Sequence, residues 1–355
     1  MSCHGAVPRA ENPPESSELS VLAPPQFPSG FWDLVDPTQR PLVAERFGRY
    51  TDARLRDLFD QITKDINIYE DDNECITDWY NPDIIINYKP RSERDFFRAQ
   101  CYANVDAFGS PDPDNPPRVK NYTVRVETTD EVPVRARPRR FNMIEQAFLE
   151  AKTNIMVRQH KLRDSHSDWS HGLVLVPYRD RINRFLETHG AEAHSRMFLP
   201  EFESEVATFY RLCSDMREVN RKTKLDIFPL PRIDDILDNI PVGTDRYSTG
   251  DVMDAFFCVE VHPDDRKKLA FRTHNRHLEF EVMVQGWVNS PSHFCRIIEN
   301  AMSGLGRFQA SAYLDDVINH TGGFVFHFRT QQDIYNRLRL SQLMLKPTKT
   351  CINHP

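Results

Sequence analysis

Alternation of apolar and polar positions marks the strands of this chain. Leu278, Phe280, Val282 and Val284 alternate with His277, Glu279, Glu281 and Met283, the period-two pattern of a half-buried strand. Tyr122-Val124-Val126 and Phe257-Val259-Val261 repeat that spacing, and Leu173-Val174-Leu175-Val176 reads as a short buried strand. Ala312-Tyr313-Leu314, then Asp315-Asp316, then Val317-Ile318 reads as strand, tight turn and strand. Helical spacing appears in Phe141–Lys161 at Ile144, Phe148, Ala151 and Ile155, and again at Phe294, Ile297, Ile298 and Met302. Ser290 with Pro291 predicts the start of the second of these helices. Thr330-Gln331-Gln332-Asp333 resembles a capping box and predicts a helix carrying Ile334 and Leu338. Ile227–Leu237 turns at two prolines and enters a helix. The order of elements predicts an α+β fold, an antiparallel sheet with helices on one face.

The breaks between these patterns suggest the organisation. Residues 1–45 are rich in Pro, Ser and Glu with little periodicity, and a disordered leader is expected there. Residues 46–118 carry a helical pattern at Leu55, Leu58, Phe59 and Ile62 and end in the string PDPDNPP, read as a linker. The remainder divides into 119–240 and 241–355, the first interrupted at 181–209 by a polar stretch of poor periodicity with Glu201, Glu203 and Glu205.

Composition changes this picture little. An apolar fraction of 39% and a charged fraction of 27% predict a soluble protein, and no apolar run approaches the ~18 residues of a membrane span. Seven cysteines without a C-x-x-C pair fit a reducing compartment, so an intracellular protein, cytoplasmic or nuclear, is expected. The net charge of −7 argues mildly against nucleic-acid binding, although a local basic groove or a bound metal can dominate at a contact. The basic arm VRARPRR offers Arg137 and Arg139, either as a solvated surface strand or as phosphate-backbone contacts.

The candidate chemistry lies in three acids. Asp315 and Asp316 at the hairpin tip, with Asp251 ahead of a strand expected in the same sheet, could hold two hard divalent cations. Two such ions about 3.5–4 Å apart stabilise the attacking and leaving oxygens of phosphoryl transfer.

From Thr123 to Cys351 the chain resembles the fingers and palm of reverse transcriptases from gypsy-type LTR retrotransposons and related retroviruses. Eight blocks carry the resemblance, in the family's order: LVLV, YRLCSDMREVN, FPLPRIDDIL, YSTGDVMDAFF, VHPDDRKKLAFRTH, FEVMVQGWVNSPSHF, AYLDD and RLRLSQLMLKPTKTC. The resemblance implies a right-hand polymerase palm and fingers and an RNA-directed DNA polymerase that adds dNTPs to a primer 3′-hydroxyl. Asp251, Asp315 and Asp316 would be its catalytic carboxylates, with two Mg²⁺ ions, or Mn²⁺, as cofactors. Arg211 would grip the triphosphate, and the backbone of Val252, Met253, Asp254 and Ala255 would cradle it. Phe256 would lie beneath the sugar and reject a 2′-hydroxyl; Gln285 and Gly286 would line the nucleotide pocket. Tyr313, Arg137 and Arg139 are the expected nucleic-acid contacts. Implied partners are an RNA or DNA template–primer, dNTPs and other Pol or Gag-like proteins of the element, and no membrane.

Three departures stand out. At the fingers turn only Arg179 could supply charge to the triphosphate, since the family's usual lysines are replaced by Pro177-Tyr178-Arg179. Residues 181–209 replace a tight turn, either as surface elaboration or as sequence that spoils fingers closure. The family continues beyond Cys351 into a thumb, connection and RNase H, so truncation before the thumb predicts a weak grip on template–primer. Two other readings compete: a degenerate nucleic-acid-binding or assembly module on the same fold, and a two-metal nuclease, which Phe256 and the Gln285 loop argue against.

Overall fold

The computed structural model describes residues 67–68, 93–109, 114–137 and 139–354. The leader expected at 1–45 and the helical pattern at 55–62 lie outside them. Among the described residues no helix is long and apolar enough to cross a membrane.

The central sheet has five strands in the order β1 (Asn67–Ile68), β12 (Cys351–His354), β6 (Arg246–Asp251), β11 (Asp316–Thr321), β10 (Ala310–Tyr313). Only the β1–β12 pair is parallel; the other neighbours are antiparallel. Helices α8 (Ser290–Met302) and α9 (Phe324–Leu340) pack on this sheet through Phe294, Ile297, Ile298, Phe324, Phe328 and Leu338, all buried. The hydrophobic effect of covering such side chains is what holds the two layers together.

The segment ahead of the proline string is built into the same core. Helix α1 (Glu93–Ala103) presses Phe96 and Phe97 edge-on against Phe324, each at 5.6 Å. Glu93 meets Arg246, the first residue of β6, at 2.6 Å with both side chains buried. Asn353 of β12 donates to the same Glu93 oxygen at 2.9 Å. Gln332 and Asn104 exchange amide hydrogen bonds of 2.9 Å across the same interface.

Beside this sheet, α2 (Met143–Arg158) opens with a capping box between Asn142 and Glu145 and buries Ala147, Phe148, Leu149 and Met156. It packs on the hairpin β4 (Gly172–Pro177) and β5 (Tyr210–Asp215), with the Phe148 and Tyr210 rings 5.2 Å apart. A three-stranded sheet, β3 (Leu162–Asp164), β9 (His277–Phe280) and β8 (Ala270–Arg272), flanks it.

Several local expectations are corrected. Phe257-Val259-Val261 does not extend the central sheet. Asp254, in the left-handed region at φ 51°, and a 3₁₀ turn over Ala255–Cys258 swing the chain away after β6. Val261 then joins β7 (Glu260–Val261), paired in parallel with β2 (Thr123–Val124). The strand carrying Asp251 is the stretch before it.

Glu279, expected on the solvent side, is buried; Arg163 at 2.6 Å and the Ser165 hydroxyl supply the partners its charge needs. Val174 and Val176 are exposed, so the LVLV strand is half-buried. Helix α9 begins at Phe324, and Thr330 to Gln332 are buried polar side chains within it rather than its cap. Helix α8 is preceded by Asn289 as N-cap, because the Ser290 hydroxyl donates to the Val284 carbonyl instead.

Residues 181–209 are not a poorly structured loop. Helices α3 (Arg179–His189), α4 (Ala193–Arg196) and α5 (Glu203–Val206) form a small unit around Ile182, Phe185, Met197 and Phe209. Phe185 meets Phe202 at 5.5 Å and Phe209 at 5.3 Å. Helices α4 and α5, of four residues each, carry too few turns for a periodic signature, and tertiary packing supplies their stability.

Candidate nucleotide and metal site

Two adjacent strands bring the acids together. Asp251 ends β6 and stands directly opposite Asp316, the first residue of β11, so their side chains leave the same face. Asp315 lies in the two-residue turn of the β10–β11 hairpin, preceded by Leu314 at φ 53°, a conformation that a leucine adopts only when its surroundings impose it. The Val252 amide donates to the Asp315 carbonyl at 2.7 Å and ties the turn to the end of β6.

Asp251 is buried, Asp315 half-buried and Asp316 exposed. Partial burial, then the carboxylates of Asp315 and Asp251, push the Asp316 carboxyl above its ordinary value. Lys349, on the turn before β12, sets its ammonium 2.5 Å from Asp251 Oδ2, and that hydrogen bond raises the lysine's own pKa.

The donor set is carboxylate oxygen only, and its like charges repel, which fits a hard divalent cation. The backbone brings the three residues to one end of the sheet. Among the described residues, however, no group of three or more His, Cys, Asp or Glu side chains is gathered as a ligand cluster. Asp251 is turned to Lys349, so lysine and cation compete for the same oxygen.

Beside the acids opens a cavity of about 620 Å³. Six cationic residues line it, Lys152, Lys161, Arg181, Arg211, Lys346 and Lys349, against one acid, Asp254. That acid is taken by Lys161 at 2.6 Å. Burial, then the nearby Lys161, lowers the Lys152 pKa. In a chain of net charge −7, this is a local surplus of positive charge suited to a polyanion. Phe257, Phe280 and Val284 give it an apolar wall.

The predicted residues distribute unevenly around this cavity. Arg211 and Gln285 line it together, the guanidinium donating to the amide oxygen at 3.3 Å. Gly286, expected beside Gln285 in the lining, does not line the cavity; its φ of 91° favours glycine, and a Cβ there would sit 3.3 Å from the Ser214 carbonyl oxygen.

Half of the expected backbone cradle is spent elsewhere. The Val252 amide bonds Asp315 and the Met253 amide bonds the Met344 carbonyl at 2.7 Å, which leaves the amides of Asp254 and Ala255 outside these two bonds. Phe256 is half-buried, edge-on to Phe294 of α8 at 5.9 Å, and does not line the cavity; its neighbour Phe257 does. Arg179 is exposed at the start of α3 and does not line it either, whereas Arg181 does. Tyr313 is half-buried on β10 and Arg137 is exposed. Arg139 is engaged by Glu145 at 3.0 Å and by the Phe141 ring.

Sequence reasoning missed Lys152, Lys161, Arg181, Lys346 and Lys349. The signal for two of them stood in the closing block, where KPTK follows a buried Leu343-Met344-Leu345 stretch.

The family model for reverse transcriptase (RNA-dependent DNA polymerase) matches residues 204–354. The chain is similar to the retrovirus-related Pol polyprotein from transposon 412 of Drosophila melanogaster, 27% identical over 251 residues. That match covers 70% of this chain and 18% of the relative. It is also similar to the transposon Tf2-3 polyprotein of Schizosaccharomyces pombe, 27% identical over 176 residues, with 48% of this chain and 13% of that one covered. The chain therefore spans less than a fifth of the curated relatives it matches. Among solved structures, a foamy viral protease–reverse transcriptase in complex with RNA/DNA hybrid superposes with a TM-score of 0.60 at 16% identity, over 84% of this chain and 33% of that one. A dsDNA complex of the same kind of protein gives 0.61 at 15% identity, over 84% and 52%. The fold is that of a reverse-transcriptase palm and fingers, and residues 204–354 are similar to the reverse transcriptase (RNA-dependent DNA polymerase) family.

Proposed function

We propose that this domain carries out template-directed DNA synthesis, an RNA-directed DNA polymerase joining dNTPs to a primer 3′-hydroxyl. The observation that carries the reading is the cross-strand pair Asp251 and Asp316, with Asp315 in the adjoining turn, beside a cavity lined by six cations. A nucleoside triphosphate is the ligand whose size and charge suit that cavity. Asp251, Asp315 and Asp316 would hold two Mg²⁺ or Mn²⁺ ions, whose chemistry when bound is to acidify the primer hydroxyl and neutralise the leaving pyrophosphate.

The chain's own residues do the rest by position and charge. Arg211 meets the triphosphate with its planar fork, and Lys152, Lys161 and Lys346 surround it. Phe257, Phe280 and Val284 give the sugar and base an apolar wall, and Gln285 faces Arg211 across the opening. The template–primer lies against the exposed arm at Arg137, and base pairing sets the sequence made. The other Pol or Gag-like proteins of the element are the partners this reading implies.

The test is primer extension on poly-rA with an oligo-dT primer and Mg²⁺. Wild-type protein extends the primer, and Asp315→Asn reduces extension to background. Folded wild-type protein that binds template–primer and extends nothing sinks the reading. The second reading, a nucleic-acid-binding module without catalysis, draws on the Lys349–Asp251 contact and the ungathered acids. It requires salt-dependent RNA binding that survives Asp315→Asn while no extension occurs.

A further inference from the structure

We infer that the helical unit between Pro177 and Tyr210 is a working wall of the nucleotide cavity, with Arg181 as its phosphate contact. The inference rests on the nucleotide reading of that cavity and adds a residue and an element to it. Where β4 and β5 would otherwise close in a tight turn, the chain inserts α3, α4 and α5 and returns beside its point of departure. Pro177 pairs with Tyr210, and the Tyr178 amide donates to the Phe209 carbonyl at 2.8 Å. Both ends of the unit line the cavity, Tyr178 and Arg181 from one, Ala207 and Thr208 from the other.

Arg181 is held in place without being neutralised. Its guanidinium lies over the Tyr178 ring, 4.5 Å from the centroid, and one nitrogen donates to the Thr208 carbonyl at 3.2 Å. Those contacts span the two ends of the insert and fix the plane of the group. Among the described residues no carboxylate pairs with it, so its charge and remaining donors are available to an anion. The scaffold behind it is packed: Ile182 and Phe185 are buried, Phe185 edge-on to Phe209, and Glu203 ties the unit to Arg158 of α2 at 3.2 Å. A charge on a rigid element gives up less conformational freedom when it binds than one on a mobile loop. The cation that the sequence suggested at Arg179 is thus supplied two residues later, on the cavity side of α3.

The experiment measures binding of inorganic tripolyphosphate to the full chain by calorimetry, in metal-free buffer, for wild type, Arg181→Ala, Arg181→Lys and Arg184→Ala. Arg184 is an exposed residue of the same helix that does not line the cavity. Loss of one charge-assisted contact predicts about tenfold weaker binding for Arg181→Ala, with Arg181→Lys intermediate and Arg184→Ala equal to wild type. The KM for dTTP in primer extension rises in the same order while the affinity for template–primer stays constant. Equal tripolyphosphate affinity in wild type and Arg181→Ala overturns the inference and leaves the nucleotide cavity standing. A loss confined to template–primer affinity also overturns it, by assigning Arg181 to the nucleic-acid backbone. Wild-type protein that extends primers yet ignores tripolyphosphate refutes the phosphate role of the whole basic lining, Arg181 included.

Discussion

Replacing Glu93 with Gln tests whether the segment upstream of the proline string is part of the catalytic sheet's own core. Glu93 Oε2 is 2.6 Å from Arg246 Nη1, with side-chain exposures of 2% and 5%. At that distance the attraction is about 6 kcal/mol at an effective dielectric constant of ~20, before desolvation is subtracted. Desolvation offsets much of it, so the pair adds little net stability over an apolar alternative. Removing one partner is different, because the other charge stays buried. That costs about 3–5 kcal/mol, a large part of the ~5–15 kcal/mol that holds a typical domain together. Urea unfolding followed by circular dichroism should show Glu93→Gln and Arg246→Met each lowering the midpoint by about 1 M or more, for a slope near ~3 kcal/mol/M. The double variant Glu93→Gln/Arg246→Met should lose much less than the sum of the singles, a coupling of more than ~1 kcal/mol. Singles that each cost under ~1 kcal/mol, or a double variant equal to their sum, would refute the coupling of α1 to β6.

Two further outcomes follow from particular side chains. His327 is buried between the Ser248 and Thr321 hydroxyls, each 2.7 Å away, and burial, then the nearby Arg246, lowers its pKa to about 3; burial lowers His171 to about 4. Both pKa values lie below the unfolded value, so the unfolded chain binds protons that the folded one refuses. Stability is fully present above pH ~6.5 and falls as the pH drops below it, by about 2 kcal/mol for each histidine at pH ~5. A urea midpoint that stays flat between pH ~7.5 and ~5 contradicts this. Separately, Lys349→Met removes the competitor for Asp251 Oδ2. The lysine side chain is 56% exposed, so its hold is that of a surface pair and Mn²⁺ binding measured by paramagnetic resonance should tighten only about two- to fivefold. Unchanged or weaker Mn²⁺ binding would show that Lys349 does not compete with a cation there.

What the sequence determined by itself was the local and the ordered. The hairpin was legible because a two-residue turn between apolar runs is a local event, although the turn falls on Leu314-Asp315, one residue earlier than the sequence suggests, and Asp316 opens β11; α2 and α8 were legible because their apolar stripes repeat at helical spacing. The eight blocks carried the family resemblance, and with it the positions of the acids and of Arg211 and Gln285, which line the cavity, and of Gly286, which does not.

Tertiary structure alone decided the rest. Asp251 faces Asp316 because β6 pairs with β11, strands separated by more than sixty residues, and no local pattern sets that register. The pattern at Phe257-Val259-Val261 misled because a strand's period does not say which sheet it joins, and Asp254 at positive φ redirected it. The helical unit at 181–209 was hidden because its helices are short and hold together through contacts with one another and with α2. The cationic lining gathers lysines and arginines from α2, the turn before β3, α3, β5 and the 346–349 turn, each of which alone reads as an ordinary solvated charge. Charge in one place is a property of the folded surface, and only packing brings those positions together.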